Sequence, residues 1–500
     1  MELTRRELIE AAVATGTLLV TGAKGEVLPL DLQETNPNAA NPFLQGNFAP
    51  VYEEITADSL KIVGKLPPEL NGMFVRNGPN PQLPPLGRYH WFDGDGMLHG
   101  IKIRDGKASY LNRYVRTEGW QKERAAGKAL YTGLAEKPDM KKLFAGQDTF
   151  KNAANIALLW HNGKFLALWE GGTPHEIGLP DLSTKGAYNF DGGLKHAFTA
   201  HPRTDPKTGE LICFGYSPGR KPYLHYSVIS PQGKVAHTTP IDLPHGVMMH
   251  DFAITENYTL FMDLPLRFDM AKFSKGEGAF HYKPEIPSRF GILPRHETGD
   301  KIRWFEAPPC FVFHTLNAWE EGDEIVLVAC RYDAYPDDVN FSTSGHPTNE
   351  GKGGQVRLHE WRFNPKTGAT REKPLDDTVA EFPRIHPAQI GRKGRYGYAS
   401  IASGRTLFDG YLKYDLLTGK SIHHRMPKGV MVGEGVFVPR PGAKAEDDGW
   451  LVGYGYDKAT HKSEFHILDA QNFEAKAVAR VLLPVRVPYG LHGTWLPGIV

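Results

Sequence analysis

The sequence predicts an all-β chain built as a propeller. Three observations carry that expectation. From residue 42 onward, short runs rich in Val, Ile, Phe, Tyr and Leu (164–169, 211–216, 258–262, 324–330, 450–454) alternate with Gly, Pro, Asp and Asn. That is the text of strands joined by tight turns. Similar turns recur between runs, as in Asp205-Pro206-Lys207-Thr208-Gly209, Asn364-Pro365-Lys366-Thr367-Gly368 and Leu417-Thr418-Gly419, which suits antiparallel hairpins. Over roughly 450 residues this pattern fits a propeller or a pair of sandwiches. The third observation chooses between them. His201, His250, His314 and His492 stand in apolar or tight-turn settings, separated by 49, 64 and 178 residues. A blade takes about 40–50 residues, more with insertions. One histidine per blade on the innermost strands would converge on the axis, and a sandwich offers no such meeting point.

The chain has 500 residues, of which 40% are hydrophobic and 23% charged, enough for a large core. Its net charge of +1 gives no electrostatic reason to expect a nucleic-acid partner. The three cysteines, Cys213, Cys310 and Cys330, are odd in number and lie in strand-like runs, so each is read as a packing residue. No apolar run reaches the length of a transmembrane helix.

In chain order, Arg5-Arg6 precedes the short apolar stretch 11–20, as in a bacterial twin-arginine export signal, although Glu7 and Glu10 weaken the match. Residues 1–40 are therefore set apart as leader and linker, and 41–500 are taken as one domain. Without a working leader the expected compartment is the bacterial cytoplasm; with one it is the periplasm. Trp91–Gly100 holds Asp93 and Asp95, but its glycines mark tight turns, and the stretch is read as structural. Two segments do not fit blades. Residues 118–147 read as helical, and 264–296 are Pro-broken with Leu266, Phe268, Met270, Phe273, Phe280, Phe290 and Ile292 as apolar positions. Any one of these closes a core as readily as it lines a lid. As a group they are read as a lid with an apolar entrance, able to make peripheral membrane contact.

Each histidine alone reads as a hydrogen-bonded core residue. Together they read as ligands. Imidazole suits Fe, Zn, Cu and Ni, and structural zinc prefers cysteine. Four histidines with no carboxylate in the shell suit iron(II) with two positions left for dioxygen and for substrate or water. Ligating histidines need their outer N–H directed, usually to a carboxylate. Glu170, Glu381 and Glu434 stand in apolar text, where a carboxylate is costly to bury without a partner.

Longer stretches identify a family. Leu70-Asn71-Gly72-Met73-Phe74-Val75-Arg76-Asn77-Gly78-Pro79-Asn80-Pro81, Trp91 to Gly100, Ala200-His201-Pro202, Met249-His250-Asp251-Phe252, Phe313-His314, Val436-Phe437-Val438-Pro439-Arg440, Glu446-Asp447-Asp448-Gly449-Trp450 and Leu491-His492-Gly493-Thr494-Trp495 resemble the carotenoid cleavage oxygenases. That family includes plant and cyanobacterial carotenoid dioxygenases and the retinoid isomerohydrolase of the eye. The resemblance runs from about Asn41 to the C-terminus. It implies a seven-bladed β-propeller with a helical dome, and one Fe(2+) per chain on the axis held by His201, His250, His314 and His492. It implies that Glu170 orients His250, Glu381 His314 and Glu434 His492. The implied reaction is oxidative cleavage of a conjugated double bond in a hydrophobic polyene, with O2 as co-substrate and two carbonyl products. Stilbene-cleaving members resemble one another in a lysine before the first of these glutamates; Trp169 stands there instead, favouring a carotenoid or apocarotenoid. Retinyl-ester isomerohydrolysis and a non-catalytic propeller scaffold are the other readings.

Overall fold

The computed structural model describes residues 41–499 except 135, 145–148, 337–354 and 404–406, together with 19–21, 27–29 and 38. The chain forms two compact units, Met1–Asn41 and Pro42–Val500. In the first, Leu19–Thr21 pairs antiparallel with Val27–Pro29. Arg5-Arg6 lies outside the described residues.

The second unit is a succession of antiparallel sheets. Four are four-stranded, beginning at Ala157–His161, Arg203–Thr204, Ala253–Ile254 and Phe311–Glu321. Their strands pair in chain order, as hairpin text with short turns demands. A ten-stranded sheet follows, starting at Ala380–Ile385. It ends by pairing Ala479–Leu482 with Lys61–Gly64 from the start of the unit. The last sheet does the same: Gly493–Pro497 pairs with Gly72–Arg76. The two ends of the unit are thus tied by two separate ladders.

The strands read as expected because their apolar positions are buried on both faces. Phe290, Trp361 and Phe363 are fully buried and their rings pack at 5.1–5.3 Å. Burying one such ring contributes about 1.5–3 kcal/mol. Cys213, Cys310 and Cys330 are buried free thiols within this packing. Asp93 and Asp95 serve structure, in keeping with the glycines around them. Asp93 accepts from the backbone N–H of Leu134 at 2.9 Å, and Asp95 pairs with Lys151 at 2.7 Å.

The two irregular segments differ from expectation. Residues 118–147 are not one helical stretch. Glu118–Ala126 is helical, capped by Thr117, and Gly127 at φ 66° ends it. Among the described residues of this segment, Met140–Phe144 is the next helical piece. In 264–296, Ser288–Pro294 is a regular strand paired with Tyr258–Asp263, so Phe290 and Ile292 belong to the core and not to a lid. The prolines here bound the strand and do not interrupt it. The part that stands apart is the hairpin of Leu266–Phe268 with Phe280–Tyr282 and the short helix Met270–Phe273 inside it. No helix among the described residues is long and apolar enough to cross a membrane.

Candidate metal centre

The four histidines hold one structural position in four sheets. His201 stands two residues before Arg203–Thr204, His250 three before Ala253–Ile254, and His492 one before Gly493–Pro497. His314 lies inside Phe311–Glu321, where the ladder is irregular between Val312 and Thr315. Such a bulge re-aims a side chain out of the pleat. All four imidazoles meet. The Nε2 atoms of His201 and His250 are 3.0 Å apart, and one ring nitrogen each of His201, His314 and His492 lies within 4.8 Å of the others. Neighbouring rings in the group have centroids 4.5–5.3 Å apart.

Three carboxylates hold the outer nitrogens. His250 Nδ1 meets Glu170 at 2.5 Å, His314 Nδ1 meets Glu381 at 2.6 Å, and His492 Nδ1 meets Glu434 at 2.9 Å. Each Nδ1 therefore carries the proton in the neutral ring, which leaves Nε2 as a bare lone pair facing inward. The buried Nε2 of His314 has no hydrogen-bond partner. Lone pairs converging without a donor repel one another, and a cation among them removes the repulsion. The donor set therefore fits a metal ion.

The electrostatics favour the neutral ring at His201 and His492. Burial pushes His201 well below the ordinary imidazole value, and the three neighbouring rings add to the effect. Burial likewise lowers His492 to about 4, against the opposing pull of Glu434. Burial would raise the Glu434 carboxyl, but Arg384 and His492 hold it well below the usual carboxylate range. Burial also disfavours protonated His250, yet Glu170 outweighs it and the ring's proton affinity lies above normal.

His250, His314 and His492 line a cavity of about 1270 Å³, large for a small-molecule site. Most of its wall is apolar, with Trp169, Phe268, Phe273 and Phe280 among the lining side chains.

Sequence comparison assigns this arrangement. A family model described as retinal pigment epithelial membrane protein matches residues 48–497. The chain is 42% identical over 484 residues to the carotenoid 9,10(9',10')-cleavage dioxygenase of Crocus sativus, covering 90% of this chain and 88% of that one. It is 35% identical to a carotenoid cleavage oxygenase of Mycobacterium tuberculosis, covering 91% and 98%. The chain belongs to the carotenoid cleavage oxygenase family. Among solved structures, lignostilbene dioxygenase of Pseudomonas brassicacearum superposes with a TM-score of 0.84 at 31% identity, covering 91% of this chain and 98% of that one. Cobalt-substituted apocarotenoid oxygenase of Synechocystis gives 0.82 at 32% identity, covering 90% and 97%. The chain is an oxygenase and shares the propeller fold of these relatives.

Behind the imidazoles lies a network that the sequence reading left unassigned. Arg203 donates from Nη2 to both oxygens of the Asp251 carboxylate, at 2.7 and 2.8 Å, and to the Thr315 hydroxyl at 2.9 Å. Thr315 donates to Asp251 from its backbone N–H at 2.7 Å and its hydroxyl at 3.0 Å. These three residues follow His201, His250 and His314 by two, one and one positions, so one carboxylate staples three histidine-bearing segments together. The fourth is tied elsewhere. Arg384 grips Glu434 through two bonds of 2.8 Å and donates to the carbonyl of Gly493 at 2.7 Å. Tyr216 donates to Glu170 at 2.7 Å. The one visible signal was adjacency: a charged or hydroxyl residue directly after a histidine.

Asp251→Asn places an amide N–H against the donors of Thr315 or Arg203 and leaves that arginine uncompensated. Breaking a buried pair in this way costs about 3–5 kcal/mol. Urea unfolding of the variant should show a midpoint lowered accordingly, with the denaturant slope unchanged; a midpoint equal to wild type would remove Asp251 as the joint.

Proposed function

We propose that the chain is a non-haem iron(II) dioxygenase that cleaves a conjugated carbon–carbon double bond of a carotenoid or apocarotenoid into two carbonyl products. The observation that carries this reading is the group of four converging imidazoles, three of them held by carboxylates, beside a large apolar cavity in a chain 42% identical to a carotenoid 9,10(9',10')-cleavage dioxygenase. His201, His250, His314 and His492 would hold one Fe(2+), which when bound supplies the redox chemistry for adding both atoms of dioxygen to the products. The remaining work belongs to the chain. Glu170, Glu381 and Glu434 keep the Nδ1 protons outside, so the Nε2 lone pairs point at one place. Phe313 and Phe382 pack against the imidazoles at 5.3–5.6 Å and keep water from them. The apolar wall admits a polyene and sets which bond stands beside the histidines. Trp169 lines that wall and cannot offer a phenol the charge a lysine would, which favours a carotenoid over a stilbene.

Finer architecture follows the same reading. The four separate sheets, the two halves of the ten-stranded sheet and the closing sheet make seven blades, with the segments around 118–144 and 264–282 as the dome. Residues 41–500 are the single catalytic domain, and 1–40 a leader that exports the protein if Arg5-Arg6 is functional and otherwise leaves it in the bacterial cytoplasm.

Those dome segments also suit a bilayer surface. Leu86, Leu130 and Met270 are large apolar side chains left 37–49% exposed on or beside them. A substrate dissolved in lipid is reached most directly from such a patch.

Three measurements test these points. The protein purified without oxygen should carry about one iron per chain and convert β-apo-8′-carotenal in air to two shorter carbonyl compounds, with resveratrol left intact; absence of iron after reconstitution, or turnover of the stilbene alone, overturns the reading. Glu434→Ala should retain the fold and lose most activity, as expected for removing a ligand's carboxylate partner, which typically costs about 10–100-fold; wild-type rate and iron content would refute the role. Sedimentation with anionic vesicles should recover the wild-type chain, and serine at Leu86, Leu130 and Met270 together should lower the bound fraction several-fold; equal binding would remove the docking patch.

A further inference from the structure

Of the three carboxylates behind the imidazoles, Glu170 is the most open to its surroundings. Its side chain is 16% exposed, against 7% for Glu381 and 2% for Glu434. Arg384 compensates Glu434, but among the described residues no arginine or lysine pairs with Glu170. One oxygen of Glu170, Oε2, meets His250 Nδ1. The other, Oε1, accepts a hydrogen bond from the Tyr216 hydroxyl at 2.7 Å. Glu170 and Tyr216 both line the cavity. Without that hydroxyl Oε1 would stand bare beside a mostly apolar wall, which is costly. The carboxylate would then be held at one oxygen and free to turn about it.

Three successive sheets meet in this contact. Glu170 stands two residues past Lys164–Leu168 in the first four-stranded sheet, Tyr216 ends Leu211–Tyr216 in the second, and His250 precedes Ala253–Ile254 in the third. The backbone fixes where the phenol stands. Tyr216 lies opposite Leu224 in its ladder, and the next residue, Ser217, donates its N–H to the Tyr223 carbonyl at 2.9 Å. The second sheet is also the one entered just after His201, the histidine with no glutamate of its own. That sheet contributes a donor to the glutamate of its neighbour instead. Burial raises the Tyr216 hydroxyl well above its ordinary value, and the Glu170 charge raises it further, so it remains a donor.

We infer that Tyr216 is a positioning residue of the metal centre: its hydroxyl fixes the carboxylate plane of Glu170, which in turn fixes the ring of His250 and the direction of its Nε2 lone pair. Partners of this kind behind a ligating histidine set its orientation and basicity. The inference rests on reading the four histidines as ligands of one metal ion, and it is independent of which polyene is cleaved. Tyr216 acts through Glu170 and not on the substrate, because a phenol has one proton to donate and that proton is committed to the carboxylate.

The test uses the full chain freed of metal and titrated with cobalt(II), whose visible absorption bands report the ligand field at the histidines. Tyr216→Phe removes one oxygen and keeps the ring. It should weaken cobalt binding about tenfold, the size of one hydrogen bond to a charged group, and shift the cobalt bands. Glu170→Ala should weaken binding as well. Adding Tyr216→Phe to Glu170→Ala should change the affinity by less than about twofold, as expected of two residues that act as one unit. With iron loaded, Tyr216→Phe should lower kcat for β-apo-8′-carotenal severalfold and leave KM unchanged. Wild-type cobalt affinity and bands in Tyr216→Phe overturn the inference. A raised KM with unchanged bands overturns it too, since Tyr216 would then be a substrate contact. So does an equal loss from Tyr216→Phe with and without the Glu170 carboxylate, since the phenol would then act through packing. A wild-type chain that binds no cobalt overturns the metal-centre reading, and the inference falls with it. A wild-type chain that binds cobalt and cleaves no polyene overturns the cleavage reading alone, and the cobalt comparison still decides the role of Tyr216.

Discussion

Four imidazole nitrogens crowded into one buried place repel each other unless their protons are held elsewhere. That constraint organises the structure. Glu170, Glu381 and Glu434 take the Nδ1 protons of His250, His314 and His492. Each glutamate in turn is kept charged or oriented by a further donor where one is needed: Tyr216 on Glu170, Arg384 on Glu434. His201 has no carboxylate among these contacts, and burial, with the neighbouring rings adding to it, favours its neutral form. An inward-facing donor set on a rigid frame suits a metal ion, because the frame then sets the geometry of the ligands.

The frame depends on two kinds of tie. Locally, Asp251 joins the segments that carry His201, His250 and His314, with each bond made by a residue close behind a histidine. Globally, the C-terminal strand Gly493–Pro497 is inserted beside Gly72–Arg76, and this pairing is what brings His492 to the other three. The fourth histidine is delivered by closure of the unit, from a position 178 residues beyond the third. The same ladder sets Arg76 opposite Gly493, next to that histidine.

The all-β character was legible because short apolar runs and Thr-Gly turns are local signals, and local signals survive without an alignment. The lid was only partly legible. Helical spacing over 118–147 did not reveal where a helix would stop, since Gly127 ends it through backbone geometry. In 264–296 the prolines suggested a broken segment, yet Pro287 and Pro294 only bracket a strand whose Phe290 and Ile292 alternate into the core. The Asp251 staple was visible as an acid after a histidine, but its partners Arg203 and Thr315 lie 48 and 64 residues away.

By itself the sequence determined the strand-and-turn architecture, the four histidines and three glutamates as a set, and the family to which the chain belongs. These are properties of residue type and local pattern. Only the tertiary structure decided which nitrogen of each ring is held from outside and which arginine compensates which acid. Such facts depend on the direction of side chains across sheets distant in sequence. Direction at that range is set by packing and by closure of the two chain ends, neither of which is written in any single stretch.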